Sequence, residues 1–417
     1  MMLTAQPVGA QTGRPARPFR SLFGSTGANQ PSLHTLDLTV SLNGAIDDGL
    51  ALSRSTPERS SKSSFTQLYS GSAQLNYALR ARRFGANLSG SGSLPYYPDS
   101  PTHSDTLGYG ASANLNFASG ATSATTYGSY AYSPYYSPTL DPAGALGASA
   151  QPFDYAFARN PNDRTSAGAS LTHRFGRRTS ASLGYGFNNV SFATEDRSGR
   201  SLDAQIATNR PLSRSLTLNG SYAYREGYFA TAATPFANRS HNLDLGLGYT
   251  RASPRGQAMT ISLGVGASVV SGFTQHPPWR GSVQASRTFG AGWSAGAGFS
   301  RTLQFQSVLQ QPIWADVANA NVSGRFGRIV TLSLAATYSN GQGQAERSQR
   351  FSIYSGSASA QFALASFAAI NAHYIYYRYD FPPGYQLPEG VPVRMNRQRV
   401  QIGASFWLPL ARGGIAR

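Results

Sequence analysis

The 417-residue chain has no cysteine, a single lysine (Lys62) and little charge of either sign, Asp, Glu, Lys and Arg together making 13%. Without cysteine there is no disulfide framework and no thiolate metal site. No run of about 18 apolar residues occurs, which excludes a membrane span made of helix. Soluble domains carry about 25% charged residues with ample Lys and Glu, so this is not the composition of a fully solvated surface. Catalytic and ligand motifs are equally scarce. His34, His103, His173, His241, His276 and His373 are scattered, with no pair at metal-ligand spacing, and no Asp-x-Asp-x-Asp-Gly run occurs. Gly184-Tyr185-Gly186 and Gly290-Ala291-Gly292 precede no helix, so they are not phosphate cradles but packing glycines on a twisted strand. No nucleophile stands out beside a base at a strand end. The expectation is a non-enzymatic chain with no cofactor and no metal.

The sequence does carry 44 Gly, 23 Tyr, 22 Phe and a net charge of +17, almost all of it arginine. The arginines are spread along the chain rather than gathered on one face, so no nucleic-acid partner is indicated. The dominant pattern has period two. Leu36, Leu38, Val40 and Leu42 alternate with Asp37, Thr39, Ser41 and Asn43. Leu243, Leu245, Leu247 and Tyr249 alternate with Asn242, Asp244, Gly246 and Gly248. Met259, Ile261, Leu263 and Val265 alternate with Thr260, Ser262, Gly264 and Gly266. A strand sends successive side chains to opposite faces, so each segment has one apolar and one small polar face.

Alternation alone also fits a soluble sandwich, but three features separate the two. The pattern persists for about 10 residues, the length of a tilted membrane strand, where soluble strands average about 5 or 6. Connections alternate in length. Tight turns fall near Arg82-Arg83, Ser119-Gly120, Gly176-Arg178, Pro211-Arg214, Gly290-Ala291, Gly327-Arg328 and Leu364-Ser366, with a slightly longer one at Arg251-Gln257. Long loops fall near 45-66, 95-106, 133-163, 193-200, 226-239, 271-280, 303-315, 340-349 and 378-397. The third feature is aromatic placement. Phe84, Phe117, Phe175, Phe289 and Phe326 flank short turns, and Tyr96, Tyr132, Tyr224, Tyr338 and Tyr376 lie at the long-loop ends. Phe84 to Tyr96 spans roughly 40 Å of strand, or about 28 Å of membrane at about 45° of tilt, close to the apolar band between two aromatic girdles. The expected fold is all-β: a transmembrane antiparallel up-and-down barrel of about 18 strands, both ends on the short-turn side.

The chain resembles a porin-type bacterial outer-membrane protein, its segment Arg399-Val400-Gln401-Ile402-Gly403-Ala404-Ser405-Phe406-Trp407-Leu408 being similar to the final strand of such barrels. That family's assembly signal ends on an aromatic last residue, whereas here the chain continues past Phe406 to Arg417. The resemblance covers roughly 35-410 and implies a bacterial outer-membrane location, periplasmic termini, and contact with outer-membrane lipids and the barrel assembly machinery. The expected organisation is a segment at 1-34 (the end of a signal peptide or a periplasmic tail), a barrel at 35-410 and a tail at 411-417. Val8-Gly9-Ala10 has the small residues of a signal-peptidase site with no basic or full apolar region before it, so either a start codon placed too late or a truncated chain is expected, and a longer upstream reading frame encoding an apolar segment would support it.

Charge follows the topology. The proposed short turns contain no Asp or Glu, while arginines crowd that end, among them Arg82, Arg83, Arg177, Arg178, Arg210, Arg214, Arg251, Arg255 and Arg328. Two readings stand: a positive collar attracting anions or phospholipid headgroups, or arginine as a plain solubilising turn residue. By parity, Arg80, Arg174, Arg225 and Arg325 share the polar face with Asn76, Thr172 and Asn321, and are the candidate lumen-lining residues. Arg287 and His173 fall on the apolar parity near the short-turn end. The expected role is a passive pore for small hydrophilic solutes with weak anion preference. The alternatives are an export barrel, for instance for a polysaccharide, or a surface-display barrel, either using long loops such as Ser133-Ala158 and Arg378-Arg394.

Overall fold

A computed structural model describes residues 34–48, 65–96, 98, 107–134, 161–176, 178–192, 198–230, 236–252, 257–271, 279–290, 292–306, 311–343, 350–382 and 393–413. The alternating segments form eighteen strands: β1 His34–Asp48, β2 Phe65–Arg80, β3 Phe84–Tyr96, β4 Gly108–Ser119, β5 Thr122–Ser133, β6 Asn162–Phe175, β7 Thr179–Phe192, β8 Ser198–Pro211 and β9 Leu216–Ala230. The second half contributes β10 Phe236–Ala252, β11 Ala258–Val270, β12 Trp279–Phe289, β13 Trp293–Gln306, β14 Gln311–Phe326, β15 Val330–Gly343, β16 Arg350–Ala363, β17 Ala368–Asp380 and β18 Arg394–Gly413.

Each strand pairs antiparallel with its successor, and β1 closes on β18 from His34↔Gly413 to Asp48↔Gln398. A register shift at Leu36/Asp37 accommodates one extra residue in β18, a bulge of the sort that bends a strand at a barrel rim. Closure leaves no sheet edge, so the backbone ladder is paired all the way round. His34 of β1 stands opposite Leu79 of β2, so the first and last strands begin and end where the short turns lie.

Side chains divide by parity as the alternation demands. Along β10 and β11, Leu243 is 65% and Val265 62% exposed, while Asn242 is 4% and Ser268 0%. On a closed barrel the convex face splays its side chains apart and the concave face crowds them, so this inequality identifies the apolar set as outward. The crowded inner face is built from small hydroxyls. Ser41–Ser405 (2.9 Å), Ser89–Ser112 (2.7 Å), Ser129–Ser166 (2.6 Å), Ser294–Ser323 (2.9 Å) and Ser333–Ser359 (2.5 Å) are inward hydrogen-bonded pairs across neighbouring strands.

Glycine acts here in two ways. Gly176, Gly290 and Gly327 follow Phe175, Phe289 and Phe326 and have φ of 73°, 59° and 61°, the left-handed region that tight turns need and other residues avoid. Gly290 and Gly292 therefore serve the β12–β13 turn, as expected of a tight turn near Gly290-Ala291 and in place of the strand packing also read for these glycines. Gly85, which likewise follows a phenylalanine, lies within β3, where a Cβ would come 2.3 Å from the Asn116 side chain.

Two stretches expected as long loops, 226-239 and 303-315, are largely strand. β9 and β10 pair out to Phe229↔Phe236, and β13 and β14 out to Gln306↔Gln311. The cause is visible at Glu226 and Arg239. Both face outward and bond to each other at 2.8 Å, so apolar alternation stops there while backbone pairing continues.

The β1–β18 seam carries a clasp. Arg397 forks onto Asp47, with Nε donating to Oδ1 at 2.7 Å and Nη2 donating to Oδ2. Their side chains are 5% and 2% exposed. A bidentate pair with good geometry offsets its own desolvation, but removing one partner strands the other charge. Asp47→Asn is expected to destabilise the barrel by about 3–5 kcal/mol, and Asp47→Leu combined with Arg397→Leu by distinctly less. Urea unfolding in detergent micelles, followed by tryptophan fluorescence, measures both; equal losses would show that the seam needs no charge pairing.

Candidate functional site

The inward wall is where this chain presents its chemistry. All four arginines predicted for it, Arg80 on β2, Arg174 on β6, Arg225 on β9 and Arg325 on β14, lie on the inward parity, yet they do not form one cluster. Arg80, Arg174 and Arg325 stand exposed at the short-turn end, where Arg174 Nη2 donates to the Gly120 carbonyl at 3.1 Å. Arg225 sits in the long-loop half and its Nε donates to Asp203 on β8.

That pair has a neighbour. Arg280 on β12 donates to Asp244 on β10 at 2.9 Å, the two side chains being 11% and 14% exposed. β11 runs between them, and the residue opposite both Asp244 and Arg280 is Gly266. A Cβ there would lie 2.2 Å from Asp244 Oδ1 and 2.3 Å from the Leu243 carbonyl oxygen. The glycine is what lets an ion pair bridge across an intervening strand. Tyr127 of β5 uses the same device. Its ring lies over Gly168, where a Cβ would be 2.5 Å away, and its hydroxyl extends toward β7, where a Cβ on Gly186 would lie 3.6 Å from it.

The wall is not uniform. In the long-loop half, inward residues of β14, β16 and β17 are apolar and covered: Ile313, Ala315, Val317, Phe351 and Tyr379 are 2% exposed or less. Phe351 stacks on Phe381 at 4.8 Å, and Tyr379 meets Phe381 edge-on at 5.4 Å. These inward side chains pack on one another instead of standing separately. Asn87, Ser91 and Tyr127, on β3 and β5, remain exposed.

On the outward face the ten aromatics predicted as girdles all take the apolar parity. Phe84 pairs with Phe117 at the short-turn end, where Phe175, Phe289 and Phe326 also lie. Trp293 adds to that belt, edge-on to Phe326 at 5.0 Å. At the other end Tyr132 stacks on Tyr109 at 5.1 Å and Tyr338 lies 4.9 Å from Tyr354. Tyr96 is exposed, whereas Tyr224 and Tyr376 are half-buried. Arg287 and His173 face outward near the short turns, His173 Nδ1 lying 2.8 Å from Thr122 Oγ1.

The acidic residues of the wall, Asp203, Asp244 and Asp47, were not singled out from the sequence as site residues, nor were Arg280 and Arg397. Parity marks each as inward. Their pairing depends on which residues of neighbouring strands stand level, and a strand's own sequence does not contain that. Of the arginines expected to collar the short-turn end, Arg82, Arg83, Arg178, Arg210, Arg214, Arg251 and Arg328 are exposed there, and Arg177 and Arg255 lie outside the described residues.

A closed antiparallel barrel of even strand number, apolar outside between two aromatic belts and polar inside, has the architecture of an outer-membrane β-barrel. No protein-family model and no curated protein matches the chain. Among solved structures it is similar to Pseudomonas aeruginosa OpdQ (10% identity, TM-score 0.49, covering 91% of this chain and 99% of that one). It is also similar to Acinetobacter baumannii OccAB4 (12% identity, TM-score 0.46, 90% of this chain and 98% of that one). The Pseudomonas aeruginosa siderophore receptor PirA matches at 10% identity and a TM-score of 0.43, over 90% of this chain and 80% of its own. At such identities the likeness concerns the fold alone.

Glycines on the two faces of the wall differ in what they permit: Gly266, opposite Asp244, is inward, whereas Gly90, opposite Leu75, is outward. Gly266→Ala is expected to destabilise the barrel by about 1–3 kcal/mol, because backbone or Asp244 must move. Gly90→Ala, with nothing within 4 Å of the added Cβ, is expected to be neutral or stabilising by up to about 1 kcal/mol. Paired unfolding curves give the comparison, and equal effects would remove the special role of position 266.

Proposed function

We propose that the chain is a passive pore for small hydrophilic solutes, with a weak preference for anions and with its short turns and barrel ends on the periplasmic side. The observation that carries this is the inward wall: a lining mostly of Ser, Thr, Asn, Gln and Gly, interrupted by apolar side chains on β14, β16 and β17, in a barrel wide enough to enclose water. On the described strands, Arg80, Arg164, Arg174, Arg225, Arg280, Arg325, Arg397, Arg399 and Arg412 face inward against Asp37, Asp47, Asp203 and Asp244. Three of those aspartates are spent on Arg225, Arg280 and Arg397, so the local field of the long-loop half is largely cancelled. Arg164 and Arg399 keep part of the excess in the long-loop half, and the rest lies with the exposed arginines of the short-turn rim, where solvent screens it. A modest preference follows, set by lining charge and constriction width without any covalent step.

The exposed arginine collar fits this orientation, because it would face the anionic headgroups and solutes of the periplasmic side. The export and surface-display readings rest on Ser133-Ala158 and Arg378-Arg394, most of which lie outside the described residues.

Single-channel recording in planar bilayers under a salt gradient tests the proposal. The expected result is an open channel whose reversal potential has the sign of anion permeation. Asp203→Asn together with Asp244→Asn should shift that potential further in the same direction, since two inward cations lose their partners. A cation-selective channel, or a folded barrel that never conducts, would overturn it.

A further inference from the structure

The outward face carries a polar groove where the apolar band ends. It is lined by Arg301, Trp314, Asp316, Asn340, Gln342 and Arg350, and encloses about 180 Å³. All six belong to the lipid-facing parity. Arg301 is level with Asp316, Asp316 with Asn340, Trp314 with Gln342, and Gln342 with Arg350. From Phe326, in the short-turn belt, to Asp316 is ten residues of β14, roughly 33 Å of strand and about 23 Å of membrane normal at about 45° of tilt. The groove therefore begins two residues past the level of Tyr338, with Asp316 opposite Asn340 where Ala318 is opposite Tyr338, at the long-loop margin of the apolar band of about 25 Å, within reach of lipid headgroups.

Its chemistry is that of an anion site. Two guanidiniums and two carboxamides face one carboxylate, leaving a local excess of positive charge. Arg301 touches Asp316 only through Nη1, at 3.4 Å, and Arg301 Nε, though buried, has no partner among the described residues. The guanidinium is held in place by rings instead, lying 5.0 Å from Trp279 and 6.0 Å from Trp314. A guanidinium so positioned, its side chain still 26% exposed, is suited to charge-assisted hydrogen bonds to phosphate oxygens. The cavity has room for about six waters or one phosphate with its ordered water.

We propose that this groove binds the phosphomonoester headgroup of a lipid in the leaflet on the long-loop side. The proposal rests on the orientation given under Proposed function. Arg301 and Arg350 grip the phosphate from either side, Asn340 and Gln342 donate to its remaining oxygens, and the acyl chains lie down the apolar wall past Tyr338.

The test uses the full chain folded in detergent and titrated with diphosphorylated lipid A, with the same lipid stripped of its phosphates, and with inorganic phosphate. Tryptophan fluorescence reports binding and far-UV circular dichroism reports folding. The phosphorylated lipid should bind at least tenfold more tightly than the stripped one. Arg301→Gln with Arg350→Gln should erase that difference. Arg200→Gln, on the outward face of β8 over Phe187 and outside the groove, should keep it. If the double variant is poorly folded, Arg350→Gln alone, at an exposed position, should still weaken the discrimination several-fold. Equal binding of the two lipids, an undiminished double variant, or displacement of the lipid by equimolar inorganic phosphate would each overturn the proposal, the last by revealing a free-anion site. Conductance of the same double variant is expected to be unchanged. Lost lipid discrimination with an intact channel thus bears on the groove alone, and lost conductance with intact discrimination on the pore alone.

Discussion

Everything in this molecule follows from the need to pair each backbone N–H and C=O inside its own wall. Hydrocarbon offers no hydrogen bonds, and an unsatisfied group there costs several kcal/mol. A sheet meets the demand only by closing, and the β1–β18 ladder, fifteen residues of β1 long and tightened by the Asp47–Arg397 clasp, is where it does so. Once the wall is closed, side chains have only two destinations. The convex one is lipid and the concave one is water, so a period of two is imposed on every strand.

Curvature then sets the chemistry of the lumen. Inward side chains converge, which favours Gly, Ser and Asn and turns cross-strand neighbours into hydrogen-bonded serine pairs. It also makes each glycine an aperture. Through Gly266 an aspartate and an arginine on β10 and β12 meet across a third strand, and over Gly168 a tyrosine lies flat along the wall. Placement of the smallest residue thus decides which large ones can interact. The electrostatics of the proposed conduction path is governed as much by glycines as by charges.

The outward face is less uniform than its alternation suggests. Past the tyrosine belt it becomes polar while the strands continue, with Glu226 held by Arg239, Tyr224 and Tyr228, and with the groove around Arg301 and Asp316. This explains where the sequence was legible and where it was not. Strand number, parity, the short turns and the outward direction of the ten girdle aromatics could be read from residue order, because lipid writes them into every second position. The ends of β9, β10, β13 and β14 could not, because beyond the lipid the outward residues need not be apolar.

The inward arginines show the same division residue by residue. Arg80, Arg174, Arg225 and Arg325 are assigned to the concave face by parity alone, since adjacent residues of a strand cannot share a face. That Arg225 is neutralised by Asp203, that Arg280 finds Asp244, and that Arg174 bends back onto the turn at Gly120 depend on how eighteen strands slide past one another. Sequence by itself determined the barrel, its sidedness and its two rims, because these arise from local alternation against two solvents. Only the tertiary structure decided which charges meet and which aromatics are buried, because interstrand register and closure belong to the whole wall and to no single strand.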